Sequence, residues 1–269
     1  MPEKVMPGPV GDSCGIREAV CIHTRKIYDS CRDKDCIEDL RFYPKLQCVD
    51  TINRALSVKG GSARLLYVYV DVEPVSFNRG FYTVDMRFFY HVTLQAYLSC
   101  PVPVTVEGLC VFDKRAILFG SEGSAKIFSS QMAAGGPDPQ MMQRANAPIA
   151  VVEAVDPIVL DARILDCCGK RECDCDLCEV PSFVNDCFGG ELSSGDDSRR
   201  IYVTLGQFSI VRLERDTQLL VPVYDYCMPC KECCPTTDNP CDLFKKMCFP
   251  VNEFFPPTED GRGGCCEKK

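Results

Sequence analysis

Sulfur is the chemistry this sequence supplies in bulk: 21 cysteines stand in 269 residues, beside two histidines and no tryptophan. Their spacing permits two kinds of chemistry. Cys167-Cys168-Gly-Lys-Arg-Glu-Cys173-Asp-Cys175-Asp-Leu-Cys178 and Cys227-Met-Pro-Cys230-Lys-Glu-Cys233-Cys234-Pro235 contain CxxC steps. At that interval a tight turn aims two thiolates at one Zn²⁺. The same runs carry adjacent cysteines, Cys167-Cys168 and Cys233-Cys234, and Cys265-Cys266 repeats the pattern. Adjacent cysteines seldom bond each other, because an eight-membered ring strains disulfide geometry, so each pair can reach two different partners.

Structural zinc sites come in clean fours, whereas these runs are crowded and irregular. Disulfide cross-linking is therefore the first reading, through Cys14, Cys21, Cys31, Cys36, Cys48, Cys167, Cys168, Cys173, Cys175, Cys178, Cys187, Cys227, Cys230, Cys233, Cys234, Cys241, Cys248, Cys265 and Cys266. Zinc held by Cys173, Cys175, Cys178, Cys227, Cys230 and Cys233 is the alternative; the first reading needs no cofactor. An iron–sulfur run of the ferredoxin kind places three residues between its third cysteine and the last, and Cys233-Cys234-Pro235 places none. The odd cysteine count leaves at least one thiol unpaired within the chain.

Other candidates read plainly. Cys100 and Cys110 sit among apolar strand residues as core thiols or one internal bridge. His23 is a polar surface residue, and His91 lies on the polar face of a long strand, solvated or cross-strand paired. Arg32-Asp33-Lys34-Asp35 reads as a solvated turn, and Met141-Met142 as loop packing. There is no GxSxG, GxxxxGK[ST] or HExxH, and two histidines leave little room for a Cys–His dyad, so an enzyme is not expected. Cys227-Met-Pro-Cys230 opens a Pro-rich tail and lacks the strand-to-helix setting of a redox CxxC.

The elements that must position these residues are strands. From Tyr82 to Leu98 every even position is apolar, a seventeen-residue period-two run that fits a half-buried strand and no helix. Its length predicts a bend, a bulge or sharing between two sheets. Leu65–Val72 and this run form a hairpin across EPVSFNRG. Further strands are expected over Val102–Glu107, Leu109–Phe119, Ala125–Phe128, Ile149–Val155, Ile158–Leu165, Arg200–Leu213 and Gln218–Tyr224, with a turn at Glu214-Arg215-Asp216. A short helix from Asp50-Thr51 to Leu56 ends near Gly60-Gly61. Residues 131–148 and 188–199 read as loops.

Many short-spaced strands without helical pattern predict an all-β antiparallel sandwich or barrel-like core. The expected divisions are a cysteine-rich N-terminal segment (1–60), a β-core (61–166 and 200–226), a cysteine-rich insertion (167–199) and a cysteine-rich tail (227–269). A net charge of −8 disfavours a nucleic-acid partner. No apolar run approaches the roughly 18 residues needed to span a bilayer. The opening MPEKVMPGPVGDSC offers no apolar stretch for export, so synthesis without a signal peptide is expected.

Several stretches together resemble a known group: CIHTRKIYDSCRDKDCIEDLRFY (21–43), DVEPVSFNRGFYTVDMRFFY (71–90), GLCVFDKRAILFGSEGSAKIF (108–128), AVDPIVLDARI (154–164) and IYVTLGQFSIVRLERDTQLLVPVYDYCMPCKEC (201–233). They are similar to a family of cysteine-rich proteins of clostridial endospore formers, related to the cysteine-rich proteins that self-assemble into spore-coat or exosporium layers. The resemblance implies synthesis in the mother-cell cytoplasm and deposition on the spore surface. It further implies an array of copies of this chain, with other spore-layer proteins as possible neighbours, locked by intermolecular disulfides.

Overall fold

The computed structural model describes residues 21–99, 102–123, 125–127, 144–166, 180–193 and 199–220, with positions 244, 249–250 and 254. In chain order the elements are β1 (Cys21–Pro44), a 3₁₀ turn (Leu46–Cys48), α1 (Val49–Arg54), β2 (Ser57–Pro74), β3 (Phe81–Tyr97) and β4 (Val104–Phe119). Then come β5 (Lys126–Ile127), β6 (Arg144–Ala145), β7 (Ile149–Ala154), β8 (Ile158–Asp166), α2 (Ser182–Phe188) and β9 (Arg199–Leu220).

The period-two run becomes β3, and its even residues from Val84 to Ala96 are all buried. β3 pairs with β4 in unbroken register from Phe81↔Phe119 to Ala96↔Val104. The expected irregularity lies in its partner: β2 carries register shifts at Lys59/Gly61 and Leu65/Tyr67. At Gly61, φ is 145° and an added Cβ would lie 2.0 Å from the Thr93 carbonyl oxygen. Only glycine lets the bulge close that tightly.

Hydrogen-bonded neighbours run β2-β3-β4-β1-β9-β7, and β8 shares the outer edge of β9 with β7. β4 and β1 join only at Tyr43↔Leu109 and Pro44↔Gly108. At the far side β2 runs beside β8 and β7, and the Leu65 amide donates to Asp156 Oδ1 at 2.8 Å. The sheet thus nearly closes on itself, and the all-β, barrel-like expectation holds. Inside, β3 and β4 meet Ile37, Leu40 and Phe42 of β1 and Ile201, Val203, Leu205, Val211 and Leu213 of β9 in one core.

Three local readings are corrected. First, Arg32-Asp33-Lys34-Asp35 is no turn: it lies in the middle of β1, whose ladder with β9 runs from Cys21↔Leu220 to Phe42↔Ile201. Register shifts at Ile27/Asp29 and Ile37/Leu40 break the alternation of β1 and hide the strand from a period-two search. Second, Glu214-Arg215-Asp216 also stays in strand, opposite Ile27, Lys26 and Arg25. Arg215 is buried there, and its guanidinium donates to the carbonyls of Gly120, Ser121, Gly123 and Asn146 and to the Tyr82 hydroxyl. A charge that would mark a turn instead ties two loops and β3 together. Third, Val102–Glu107 and Leu109–Phe119 fuse into β4, through Gly108.

Two outer faces are also covered. α2 lays Val184 and Phe188 on Tyr43, Phe89, Leu109 and Val111, on the outside of β3 and β4. Phe244, from the cysteine-rich tail, is buried against β9: its ring stands 4.4 Å from that of Phe208, and an added Cβ on Gly206 would meet it at 2.7 Å. Gly206 leaves the flat backbone on which that ring rests. Phe244→Ala is expected to lower unfolding free energy by about 3 kcal/mol or more, the usual cost of emptying a buried phenylalanine site. An unchanged urea midpoint would show that the ring adds nothing to the body.

Candidate functional site

Six cysteines fall among the described residues. Cys21 is exposed at the start of β1, and Cys187 is exposed on α2. Cys31, Cys48 and Cys110 are buried thiols in the main core. Burial pushes the Cys110 thiol far up, so it stays protonated and inert. Cys36 is disulfide-bonded. Cys14, Cys100, Cys167, Cys168, Cys173, Cys175, Cys178, Cys227, Cys230, Cys233, Cys234, Cys241, Cys248, Cys265 and Cys266 also lie outside them. Cys31 and Cys48 are 2% and 8% exposed. Among the described residues no three metal-capable side chains converge.

Topology fixes where the cysteine-bearing segments join the body. Cys21 and Leu220 are register partners, so the N-terminal segment and the tail leave from the same end of the β1–β9 ribbon. Asp166 and Arg199 are partners at the other end of β9, so the insertion with Cys167–Cys178 leaves there. The 22 residues of β9 separate the two ends by up to about 70 Å if fully extended.

Between the poles lies a cluster the sequence did not announce. Asp33 and Asp35 point inward from β1, and Lys114 points inward from β4 where those strands have stopped sharing backbone bonds. The Lys114 ammonium donates to Asp33 Oδ2 and, at 2.5 Å, to Asp35 Oδ2, with all three side chains largely buried. Burial pushes the Asp35 carboxyl up to about 6, against the pull of Lys114 and helped by the nearby Asp33 charge. Burial alone would lower the Lys114 ammonium, but the two carboxylates outweigh it and raise it.

Ser209 and Gln207 stand opposite Asp33 and Asp35 in the β1–β9 register. Ser209 Oγ, Gln207 Oε1 and the Tyr90 hydroxyl are buried and find no hydrogen-bond partner among the described residues. Burial, with Asp35 and Cys110 adding, drives the Tyr90 phenol well above its ordinary value. A polar belt thus crosses an apolar interior. Its signal in the sequence was weak: Cys31, Asp33, Asp35 and Ile37 alternate, but with charges in apolar places.

The outer face of β2, β3 and β4 carries a second pattern. Arg87 clamps Asp113 at 2.6 and 2.7 Å, and Arg115 clamps Asp85 at 2.5 and 3.1 Å, each across the β3–β4 register. These pairs, with Tyr69 and Pro181, line a hollow of about 700 Å³ beside α2. Further along, His91 stands 3.3 Å from Glu107 across the same strands and edge-on to Phe188. Burial lowers the His91 imidazole despite the attraction of Glu107. The Lys45 ammonium, 2.5 Å from Glu107, holds that carboxyl below its ordinary value. His23 is exposed on β1.

No protein-family profile and no solved structure matches the chain. Among curated proteins it is 25% identical over 264 residues to Exosporium protein A of Clostridium sporogenes, covering 94% of this chain and 77% of that one. The chain is a distant relative of that protein. The match spans nearly the whole sequence, strands and cysteine-rich segments alike, and supports the clostridial, exosporium-related family that the sequence resembles.

The buried cluster sets a pH dependence with a definite sign. A carboxyl raised from 3.8 to about 6 contributes stability that is complete below about pH 4 and is lost as pH rises through 6. Two units correspond to about 3 kcal/mol as an upper figure. Asp35→Asn should flatten the stability profile between pH 4 and 6.5 and leave the protein at least as stable as wild type at pH 8. His91 works in the opposite sense, losing stability as pH falls, and is unchanged in that comparison. Lys114→Met, which leaves two buried carboxylates without a cation, should cost about 3–5 kcal/mol at pH 8. Equal pH profiles for wild type and Asp35→Asn would refute the assignment.

Proposed function

We propose that this chain is a structural, non-enzymatic protein of the bacterial spore surface, in the coat or exosporium. In this reading copies associate into an ordered layer, and cysteines outside the β-body lock neighbours together by disulfides. The observation that carries it is the bipolar exit of the cysteine-rich segments, at Cys21↔Leu220 and at Asp166↔Arg199. A ladder whose two ends each continue into a cysteine-bearing segment suits a subunit that must bond neighbours on more than one side. A heterologous contact that does not close on itself then propagates. Kinship with a protein named for the exosporium supports the location.

The buried thiols fit the same division of labour. Cys31, Cys48 and Cys110 contribute to packing, whereas Cys21 and Cys187 are exposed. Each added disulfide contributes about 2–4 kcal/mol by restricting the unfolded chain. A few per subunit rival the usual 5–15 kcal/mol of net stability, so a cross-linked layer resists heat and denaturant.

The test is purified protein oxidised in air, run on non-reducing gels and viewed by electron microscopy with and without reductant. Ladders of disulfide-linked multimers that collapse on reduction are expected. A discrete monomer with every surface thiol alkylatable would overturn the reading, and stoichiometric zinc on that monomer would turn it toward thiolate metal binding.

A further inference from the structure

The outer face of β2, β3 and β4 is only half covered. α2 packs Phe183, Val184 and Phe188 over the rows holding Tyr67, Phe89 and Val111, where the Phe183 ring stands edge-on to Tyr67 at 4.5 Å. No described element packs over the next rows. They hold Tyr69, Arg87 and Asp113, then Asp71, Asp85 and Arg115, in cross-strand register. Tyr69 is 53% exposed and Ile117, one row further, is 57% exposed.

Four of these charges form a square of alternating sign: Asp85 and Arg87 on β3, Arg115 and Asp113 opposite them on β4. Such a square has a property that a uniform patch lacks. Turned over about an axis in the sheet plane, either along the strands or across them, it sets every positive corner on a negative one. A second copy laid face to face through a two-fold axis therefore meets complementary charge at all four corners. The existing intrachain clamps do not exhaust the groups, since a guanidinium has five donors and a carboxylate accepts from more than one side. Arg115 and Asp113 keep 69% and 57% of their side chains exposed.

We infer that this bare half-face is a self-complementary contact between two copies of the chain, with the charge square setting register and Tyr69 and Ile117 supplying apolar area. The inference rests on the self-association proposed above and names the surface for one of its contacts. It is a non-covalent contact, so it is tested in reductant apart from any disulfide.

The experiment uses two double variants of the full chain in reductant, followed by sedimentation velocity over a concentration series. Asp85→Lys with Asp113→Lys makes the square all positive; Arg87→Glu with Arg115→Glu makes it all negative. Each alone should raise the concentration for association by about tenfold or more, and an equimolar mixture of the two should restore it. Variants that associate as wild type does, or a mixture that fails to recover, would overturn the inference. If either variant fails to fold, wild type decides: raising salt from about 0.05 to about 0.5 M should weaken its association, and indifference to salt counts against the charge square. Wild type that stays monomeric at every concentration in reductant and under air would sink the self-association reading itself, a different result from salt-indifferent association.

Discussion

The body of this protein hangs on the antiparallel ladder between β1 and β9. It joins the first described strand to the last, from Cys21↔Leu220 to Phe42↔Ile201. β7 and β8 attach to the far edge of β9, and the β2-β3-β4 sheet attaches to β1 only at its C-terminal end. Without this ladder the two halves of the core would lack a common wall. The ladder is also the most non-local pairing in the fold. Its loop-closure entropy is met only when nearly the whole chain is present, which belongs to slowly folding β proteins.

Where β1 and β4 part, side chains replace backbone bonds. Lys114 reaches across to Asp33 and Asp35, and the Phe119 amide donates to Asp29 Oδ2 at 3.1 Å. An apolar seam of the same shape would pack as well or better, because desolvating three charges costs several kcal/mol per ion. What the cluster adds is register: an ammonium between two carboxylates fixes one alignment of strands that share few hydrogen bonds. The price of that alignment is a buried carboxyl that holds its proton up to about pH 6.

The ladder also distributes the sulfur. Its two ends are where the N-terminal segment, the tail and the insertion meet the body. Thiols inside the wall are shielded by the same packing that stabilises it, and exposed ones stand at Cys21 and on α2. The tail is tied back too, since Phe244 rests on the bare backbone of Gly206.

Sequence alone established the strand-dominated class, the hairpin of β2 and β3, β7 and β8, because each is encoded by local periodicity. The short helix α1 forms where one was expected, but not by the expected cap: it runs from Val49 to Arg54 behind Cys48 with no side-chain cap, and Gly60-Gly61 belong to β2 instead of ending it. Sequence also established the abundance of sulfur and the absence of familiar catalytic motifs. Tertiary structure decided the rest. β1 and the 214–216 stretch of β9 carry charges at inward or mid-strand positions, which read locally as turns. They are strands only because partners far along the chain satisfy their backbone, and because Lys114 and the loop carbonyls around Arg215 satisfy their charge. The same holds for the square on β3 and β4: its residues are an unremarkable polar face in sequence. Alternating sign in two dimensions exists only once the register sets Asp85 against Arg115 and Arg87 against Asp113.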